Sequence, residues 1–259
     1  MPNVALTKAL FDEYQRLFDT VEYTCNLALV TALAGKLPYS EGRYKSVGML
    51  RSVSWLFVGA VHLMESGGNF DRHLHNGDPL TDRTVHVPSG RPKTGQPPFS
   101  WEDSASDALS SWRFEPDRSL PRLLWWIERF NGWGYRLHHP ETLSPYLWAG
   151  STHYQSGKYG ADGVWSPGLV SKQVGAAVIL RRLFEVRPDL IPGWNTLLAS
   201  ISPAWRFMST DLVAVRQLQQ ALNCVQGVYV MVDGVAGNRT SDAFKKVYGA
   251  YLPGDPRNV

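Results

Sequence analysis

One carboxylate closes a long apolar segment in the stretch HLMESGGNF, which runs from His62 to Phe70. The residues three, four, seven and eight positions before Glu65 share its helical face, and most of them are apolar. Burial and the negative end of a helix both disfavour a charged carboxylate, so the pKa of Glu65 should be raised. Such a carboxyl group can protonate a leaving oxygen near neutral pH. The alternative is a solvated glutamate that simply precedes a glycine helix cap.

Two motifs stand out, namely the apolar helix followed by ESGGNF, and FNGWGY, from Phe130 to Tyr135. Together they resemble goose-type lysozymes and soluble lytic transglycosylases, and FNGWGY is similar to the Tyr-Asn-x-Gly element that lines the sugar cleft in those families. The Gly-x-x-Gln motif of those families is missing, and NGDPLTDRTVHVP stands in its place. The overall arrangement, a glutamate followed by a histidine-rich hairpin, also resembles phage-type endolysin domains. The resemblance implies a mainly α (α+β) lysozyme-like fold. It also implies that Glu65 is the general acid that cleaves β-1,4 bonds between N-acetylmuramic acid and N-acetylglucosamine in peptidoglycan.

Hydrolysis of a glycosidic bond normally needs a second carboxyl group as base or nucleophile. The candidates are Asp78 and Asp82, with Asp71 as a further possibility, although aspartate also favours turns for purely structural reasons. Thr81 or Thr84 could help to position a water molecule. If no carboxylate faces Glu65, a hydroxyl of the substrate would be the nucleophile, and the product would carry the 1,6-anhydro end of a lytic transglycosylase.

The segment 131–165 is long and rich in aromatic residues, which favours a functional loop over disorder. Sugars present apolar C–H faces and hydroxyl groups, so rings beside hydrogen-bonding groups suit a sugar cleft. Trp125 and Trp126, on a predicted helix, are assigned to the core instead. The predicted substrate-binding residues are Thr84, Asn131, Tyr135, Tyr146, Trp148, His153, Tyr154 and Lys158, with Trp133 and Tyr159 beside them.

The C-terminal sequence contains VRQLQQAL, from Val215 to Leu222, and later DGVAGNRTSDAF, from Asp233 to Phe244. In these motifs and their spacing it resembles the peptidoglycan-binding three-helix module. The resemblance implies wall binding that involves Asp233, Gly234 and Thr240. It divides the chain into a catalytic domain, 1–204, and a wall-binding domain, 205–259.

Hydrophobic periodicity and turn signals predict the elements that position these residues. A loop is expected at 36–43, and a β-hairpin or three-stranded ribbon around the Asn76-Gly77 turn within 66–100. Helices are predicted at 5–19, 21–34, 44–65, 101–112, 119–130, 168–186, 211–223 and 239–248.

Composition narrows the possible partners. The net charge of +3 comes without a dense basic cluster, which argues against nucleic acid. The N-terminus lacks signal-peptide features, and no apolar run of about 18 residues could insert into a membrane. We therefore expect synthesis in the cytoplasm, followed by release or export to the cell wall. Cys25 and Cys224 predict two free thiols, and a monomer without cofactor or metal is expected.

Two rival functions remain open at this level. One is a non-catalytic wall-binding protein, and the other is a zinc-dependent amidase or peptidase that uses the histidines around His73, His75 and His86. No HExxH motif supports the zinc hypothesis. A chitinase-like specificity is a further alternative within the glycosidases.

Overall fold

A computed structural model describes residues 4–115, 119–160, 163–187, 190–191, 205–223, 225 and 228–258. The protein is mainly helical with one small sheet, so the mainly α prediction is confirmed. The helices are α1 (Lys8–Asp19), α2 (Leu27–Tyr39), α3 (Glu41–Arg51), α4 (Trp55–Ser66), α5 (Trp101–Ala108), α6 (Leu120–Asn131), α7 (Gly134–His138), α8 (Pro145–Trp148), α9 (Ala176–Val186), α10 (Leu212–Leu222) and α11 (Asn238–Tyr248). The strands are β1 (Lys158–Tyr159) and β2 (Trp165–Ser166), which pair antiparallel.

The chain clusters into two compact units. The first contains residues 21–116 and 123–183 with the first four residues, and the second contains 5–20, 117–122 and 184–259. Helix α1 therefore groups with the C-terminal helices α10 and α11. The predicted boundary after residue 204 falls beside residues outside the described part, so the division into 1–204 and 205–259 stays a prediction.

Helix α2 differs from its predicted form at both ends. Its N-cap is Asn26, whose side chain accepts the N–H groups of Ala28 and Leu29. The helix then continues through Gly35 and Pro38, so the predicted end at Gly35 and the loop at 36–43 are wrong. Pro38 lies in the last turn, where its missing N–H removes one hydrogen bond, to the carbonyl of Ala34, and the helix ends one residue later.

The predicted helix 44–65 is two helices, α3 and α4, which meet at an angle of 114°. Ser52 interrupts it with a left-handed φ of 56°, and the Ser54 hydroxyl then accepts the N–H of Leu56 to begin α4. Residues 56–64 are all buried, as the apolar composition of this segment predicts. No single helix in the described ranges could span a membrane, although α3 and α4 together pass that test across their bend.

The hairpin predicted within 66–100 is wrong. Within this segment, all of which the structure describes, the β-type backbone pairing consists of one isolated antiparallel bridge, between Arg72 and Pro79. The side chains of Asp78 and Thr84 accept backbone N–H groups that a ladder would need, and the segment is rich in prolines, which have no N–H. The sheet lies instead in the predicted loop 131–165, where Lys158 pairs with Ser166 and Tyr159 with Trp165.

Helix α9 begins eight residues later than the predicted start at 168. The preceding chain is held by other contacts, and Gly175 donates its N–H to the carbonyl of Ala149 at 2.8 Å. A Cβ at Gly175 would lie 2.3 Å from the carbonyl oxygen of Leu147, so only glycine fits this approach. Helix α9 begins directly after this residue.

The second unit has its own apolar core. Val215, Leu218 and Leu222 of α10 pack with Phe244 of α11, as the module motif predicts. Helices α10 and α11 lie within one residue of their predicted ends. In the first unit, Cys25 is a free thiol, whereas Cys224 lies outside the described residues.

Candidate active site

Glu65 occupies the last turn of α4, where the helix is closed by two glycines. Gly67 and Gly68 have positive φ values of 64° and 79°, and their N–H groups reach the carbonyls of Leu63 and His62. This double closure satisfies helix carbonyls that would otherwise lack partners. The chain therefore turns away directly after Glu65, as the two glycines predict.

The Glu65 carboxyl group is largely enclosed by protein and, among the described residues, has one side chain hydrogen-bonded to it. The hydroxyl of Tyr146, on α8, donates to Oε1 of Glu65 at 2.7 Å. Burial raises the pKa of Glu65 to about 7, although the Tyr146 hydrogen bond lowers it. The raised pKa expected from the sequence is thus confirmed. Burial and the nearby charge of Glu65 raise the pKa of Tyr146 well above its usual value, so its hydroxyl keeps its proton.

Three further residues support this helix end. Gln173 donates from Nε2 to the carbonyl of Met64 at 2.6 Å. The His62 ring lies between the Tyr44 hydroxyl and the carbonyl of Asn69, each at 3.1 Å. Burial lowers the pKa of His62 to about 4, so the ring is neutral. Because Nε2 must donate to a carbonyl, Nδ1 accepts from Tyr44.

Sequence reasoning assigned no role to Gln173 or Tyr44. Gln173 lies 109 residues from its partner, and no spacing pattern connects them. The signal that was available is the position of His62, which lies one helical turn before Glu65 on the same face.

The Asn76-Gly77 turn packs directly against the backbone of Glu65. Gly77 has a φ of 78°, and a Cβ at this position would lie 2.9 Å from the carbonyl oxygen of Glu65. The Asn76 side chain accepts the N–H of Asp78 at 3.0 Å, which confirms the turn. The segment that contains Asp78 and Asp82, the candidates for the second catalytic carboxylate, therefore packs against the end of α4.

Asp78 is buried and organises its own loop. Its Oδ2 accepts the N–H groups of Val85 and His86, at 2.8 and 3.0 Å, and the amide of Asn76. Its Oδ1 is 2.6 Å from Nδ1 of His86. Burial alone would raise the pKa of Asp78, but the hydrogen bonds from the side chain and backbone of His86 and from Val85 outweigh it and lower the pKa to about 2. Its acceptor positions are therefore already engaged.

Asp82 and Thr84 differ in how far their side-chain oxygen atoms are already hydrogen-bonded. Asp82 is exposed, and Oδ1 accepts the N–H of Arg83 at 2.7 Å, whereas Oδ2 has no hydrogen bond from any described residue. Thr84 is buried, and its hydroxyl donates to the carbonyl of Pro88 and accepts the N–H of Arg91. Thr84 is therefore engaged within its own loop, and Asp82 is the more available group.

The aromatic segment divides into packed and partly open side chains. Trp148 is fully buried, and the buried Tyr154 hydroxyl donates to the carbonyl of Gly157 and accepts the N–H of Ser171. His153 lies edge-on to Trp148, with ring centroids 5.6 Å apart. Through these contacts Trp148 and Tyr154 contribute to the packing and hydrogen bonding of the fold. Trp125 and Trp126 are buried, as predicted.

A second aromatic group surrounds the small sheet. Tyr135 packs edge-on against Tyr159 and Trp165, with ring centroids 5.4 and 5.8 Å apart, and His139 stacks on Trp165 at 3.6 Å. Tyr159 and Trp165 are partly exposed, and Lys158 next to them is half-buried. Asn131 is exposed at the end of α6.

The histidines near the turn form a hydrogen-bonded network. His73 lies 2.7 Å from both the Ser104 hydroxyl and the carbonyl of Asp82, and His75 lies 2.9 Å from Asp107. Ser104, His75 and Asp107 have the residue types of a hydrolase triad. Ser104 is fully buried, however, so no substrate can reach its hydroxyl. In the described part of the chain, no group of three His, Cys, Asp or Glu side chains could hold a metal ion.

The residues predicted to bind the cell wall form an internal network around Gln219. Its buried amide donates to Asp233 Oδ1 at 2.7 Å and to Thr240 Oγ1 at 3.2 Å. Its Oε1 accepts the N–H of Gly234, whose φ is 83°. Their observed contacts are structural, and wall binding by these three residues stays a prediction.

Comparison of the chain with protein-family models, with curated proteins and with solved structures finds no match to any of them.

Proposed function

We propose that this protein is a peptidoglycan hydrolase of the muramidase type, with Glu65 as general acid. The observation that carries the proposal is the state of Glu65: a carboxyl group at the end of a buried helix, with a pKa of about 7 and a hydrogen bond from Tyr146. A large fraction of Glu65 is then protonated near neutral pH, which is what protonation of a glycosidic oxygen requires.

In the proposed reaction, Glu65 transfers its proton to the oxygen of the bond that breaks. The sugar that keeps the anomeric carbon becomes oxocarbenium-like and is captured by water, and a base takes the water proton. Asp82 is the better candidate for this base because its Oδ2 is unengaged, whereas Asp78 already accepts four hydrogen bonds within its loop.

A lytic transglycosylase is the second candidate, and the state of Asp78 favours it. If Asp78 is committed to its loop and Asp82 does not reach the anomeric carbon, the 6-hydroxyl of the muramic acid attacks that carbon. The product then carries a 1,6-anhydro end in place of a reducing end. Glu65 is the acid in both routes.

Two surfaces support a polymeric glycan substrate. The partly exposed Tyr159 and Trp165, with His139 stacked beside them, offer ring faces on which sugars can pack. The second unit resembles a wall-binding module in sequence, and a tethered module raises the local concentration of an insoluble substrate.

The decisive experiment measures the clearing of a peptidoglycan suspension by the parent and by Glu65→Gln. We expect the variant to lose about 10²–10⁴-fold in rate, because it cannot donate a proton to the leaving oxygen. Glu41→Gln, at the start of α3, is the matched control and should clear like the parent. A Glu65→Gln variant that clears as fast as the parent excludes this mechanism. If no variant or parent clears the suspension, the non-catalytic wall-binding alternative is favoured.

Mass spectrometry of the released fragments separates the product classes. Reducing ends indicate hydrolysis, 1,6-anhydro ends indicate transglycosylation, and free peptides indicate an amidase. If reducing ends are found, Asp82→Asn should lower their rate of release at least about 100-fold, as expected for loss of a general base. An unchanged rate in Asp82→Asn excludes Asp82 from that role.

A further inference from the structure

A groove of about 470 Å³ lies within the second unit, remote in sequence from Glu65. It is bordered by α1, by the segment 228–235 and by the first turns of α11. The side chains that give it its character are Lys8, Tyr229, Met231, Val235, Arg239 and Lys246. Asp233 and Thr240, two of the three residues that the module motif predicts for wall binding, also line the groove.

The N-terminal helix α1 contributes one wall of this groove through a defined contact. Asp12 accepts a hydrogen bond from Lys8 Nζ at 2.7 Å and another from the Tyr229 hydroxyl. The ring of Phe11 lies 6.2 Å from that of Tyr229. Asp12 therefore holds Lys8 and the 228–235 segment together, although they are more than 200 residues apart in the chain.

The groove presents positive charge to a ligand. Arg239 and Lys246 are exposed, and neither forms an ion pair with any residue that the structure describes. The described lining also holds two carboxylates. Asp242 pairs with Arg257 at 2.7 Å, whereas Asp233 accepts hydrogen bonds from the neutral side chain of Gln219 and from the N–H of Val235 and keeps its charge. With the three cations Lys8, Arg239 and Lys246, the lining has a formal excess of one positive charge. Charge complementarity therefore favours an anionic ligand.

The rest of the lining is aliphatic. Met231 and Val235 are 40% and 56% exposed, and Val228 and Val230 lie behind them. Tyr229 is the one aromatic residue of the lining, and its hydroxyl is already held by Asp12. A sugar site would use ring faces for stacking, as the Tyr159 and Trp165 group can in the first unit. Aliphatic side chains beside the two cations Arg239 and Lys246 suit a peptide that carries carboxylates.

We propose that this groove binds the carboxylate-bearing stem peptide of peptidoglycan, and that it does not bind the glycan strand. The inference deepens the proposed wall anchoring and rests on it for the source of the peptide. Arg239 and Lys246 contact the carboxylates, and Met231 and Val235 contact the aliphatic side chains. Lys8, which also pairs with Asp12, lines the groove from α1.

The test measures binding of a synthetic stem tetrapeptide, L-Ala-γ-D-Glu-L-Lys-D-Ala, to the full chain by isothermal titration calorimetry. Its fully amidated analogue and the neutral glycan chitotetraose are the comparison ligands. We expect the acidic peptide to bind at least about tenfold more tightly than the amidated one, since charge-assisted hydrogen bonds are lost. Chitotetraose should not compete with the peptide.

Two pairs of variants locate the site. Lys246→Gln should weaken peptide binding about five- to tenfold, whereas Lys245→Gln, on the same helix but over the Tyr251 ring, should leave it unchanged. Lys8→Gln should weaken binding, whereas Lys45→Gln should not. Lys8 and Lys45 each form an i,i+4 ion pair and are equally exposed, at 53%, so they are closely matched.

Equal binding of the acidic and amidated peptides would overturn the proposal, as would equal losses in a variant and its control. Displacement of the peptide by chitotetraose would assign the groove to glycan instead. Because the assay involves no bond cleavage, it fails independently of the glycosidase proposal. A Glu65→Gln variant that still clears cell walls would remove the glycosidase assignment and leave the peptide result standing.

Discussion

Two effects shift the pKa of Glu65 in opposite directions. Burial raises the pKa to about 7, and the hydrogen bond from Tyr146 lowers it. Tyr146→Phe removes the second effect and leaves the first, so the pKa of Glu65 should rise further. A hydrogen bond to a charged group contributes about 1.5–3 kcal/mol, which corresponds to an upward move of the alkaline limb of the rate profile by about one pH unit or more.

The measurement for Tyr146→Phe is kcat/KM for wall clearing from pH 5 to pH 10. Tyr39→Phe, which alters a side chain that is 92% exposed, is the control and should keep the parent profile. An alkaline limb that stays in place while the whole profile drops would show that Tyr146 acts on the substrate, as the sequence predicts, and not through Glu65.

The same carboxyl group should make folding pH-dependent. The folded pKa of about 7 lies above the usual value of 4.5, so the folded state binds more protons than the unfolded state between these pH values. Stability therefore falls as pH rises from about 4.5 to about 7. Glu65→Gln removes this loss and should stabilise the protein at pH 8 by up to about 3 kcal/mol, with little change at pH 4.

Thermal unfolding of Glu65→Gln and of the parent, at pH 4 and at pH 8, measures this difference. Glu41→Gln, whose exposed partner is Lys45, should show no comparable gain at pH 8. A Glu65→Gln variant that is equally stable relative to the parent at both pH values would contradict the raised pKa.

The sequence predicted the perturbed pKa of Glu65 because its cause is local, namely an apolar helix that ends at the residue. It could not predict that Tyr146 is the hydrogen-bond partner, since the two lie 81 residues apart and aromatic composition alone suggests a sugar platform. Asp78 shows the same limit. Its position after a turn made it a candidate base, but the donors that occupy it, Val85 and His86, come from a fold of the loop that no spacing encodes.

At the scale of elements, the contact between the Asn76-Gly77 turn and the end of α4 is the joint that should hold the site together. Gly77→Ala would place a Cβ about 2.9 Å from the Glu65 carbonyl oxygen and would strain a backbone with a φ of 78°. We expect a loss of about 2–4 kcal/mol in unfolding free energy and a lower clearing rate, because Glu65 must shift.

Gly90→Ala is a matched control for this prediction. Gly90 has a similar φ of 68°, but a Cβ there would meet no atom within 4 Å. It should therefore show the backbone strain alone, about 1 kcal/mol, with normal clearing. Denaturant unfolding and clearing rates measure both variants, and equal effects of the two substitutions would mean that the contact with Glu65 is unimportant.

Elements with a continuous apolar pattern were predicted well, and their junctions were not. The buried face of α4 follows from composition, yet the break before it depends on Ser52, a residue with no strong left-handed preference. Gly35 and Pro38 are strong stop signals that α2 overrides. In 66–100 the alternation typical of strands is present, but side chains of Asp78 and Thr84 take the backbone N–H groups instead.

At the scale of the whole molecule, the order of motifs along the chain suggests two consecutive domains, whereas contacts group α1 with the C-terminal helices. The tie is specific, because Phe11 and Asp12 meet Tyr229. Sequence order could not predict this, since the motifs that resemble the wall-binding module lie only in residues 215–244. Removal of the N-terminal helix should therefore affect the unit that carries the groove, which a design based on the predicted boundary would overlook.

Gln219 offers a test of whether the second unit unfolds as a unit of its own. Its side chain is 1% exposed and joins α10 to Asp233, Gly234 and Thr240. Gln219→Ala leaves these buried groups without their partner, which should cost about 3–5 kcal/mol. Gln217→Ala, on the exposed face of the same helix, should change stability by less than about 0.5 kcal/mol.

In differential scanning calorimetry we expect two transitions, of which Gln219→Ala lowers one by several degrees and leaves the other in place. A single transition that moves as a whole would show that both units unfold together. Cleavage of soluble glycan fragments at 25 °C should persist in Gln219→Ala, because Glu65, Tyr146 and Asp82 belong to the first unit.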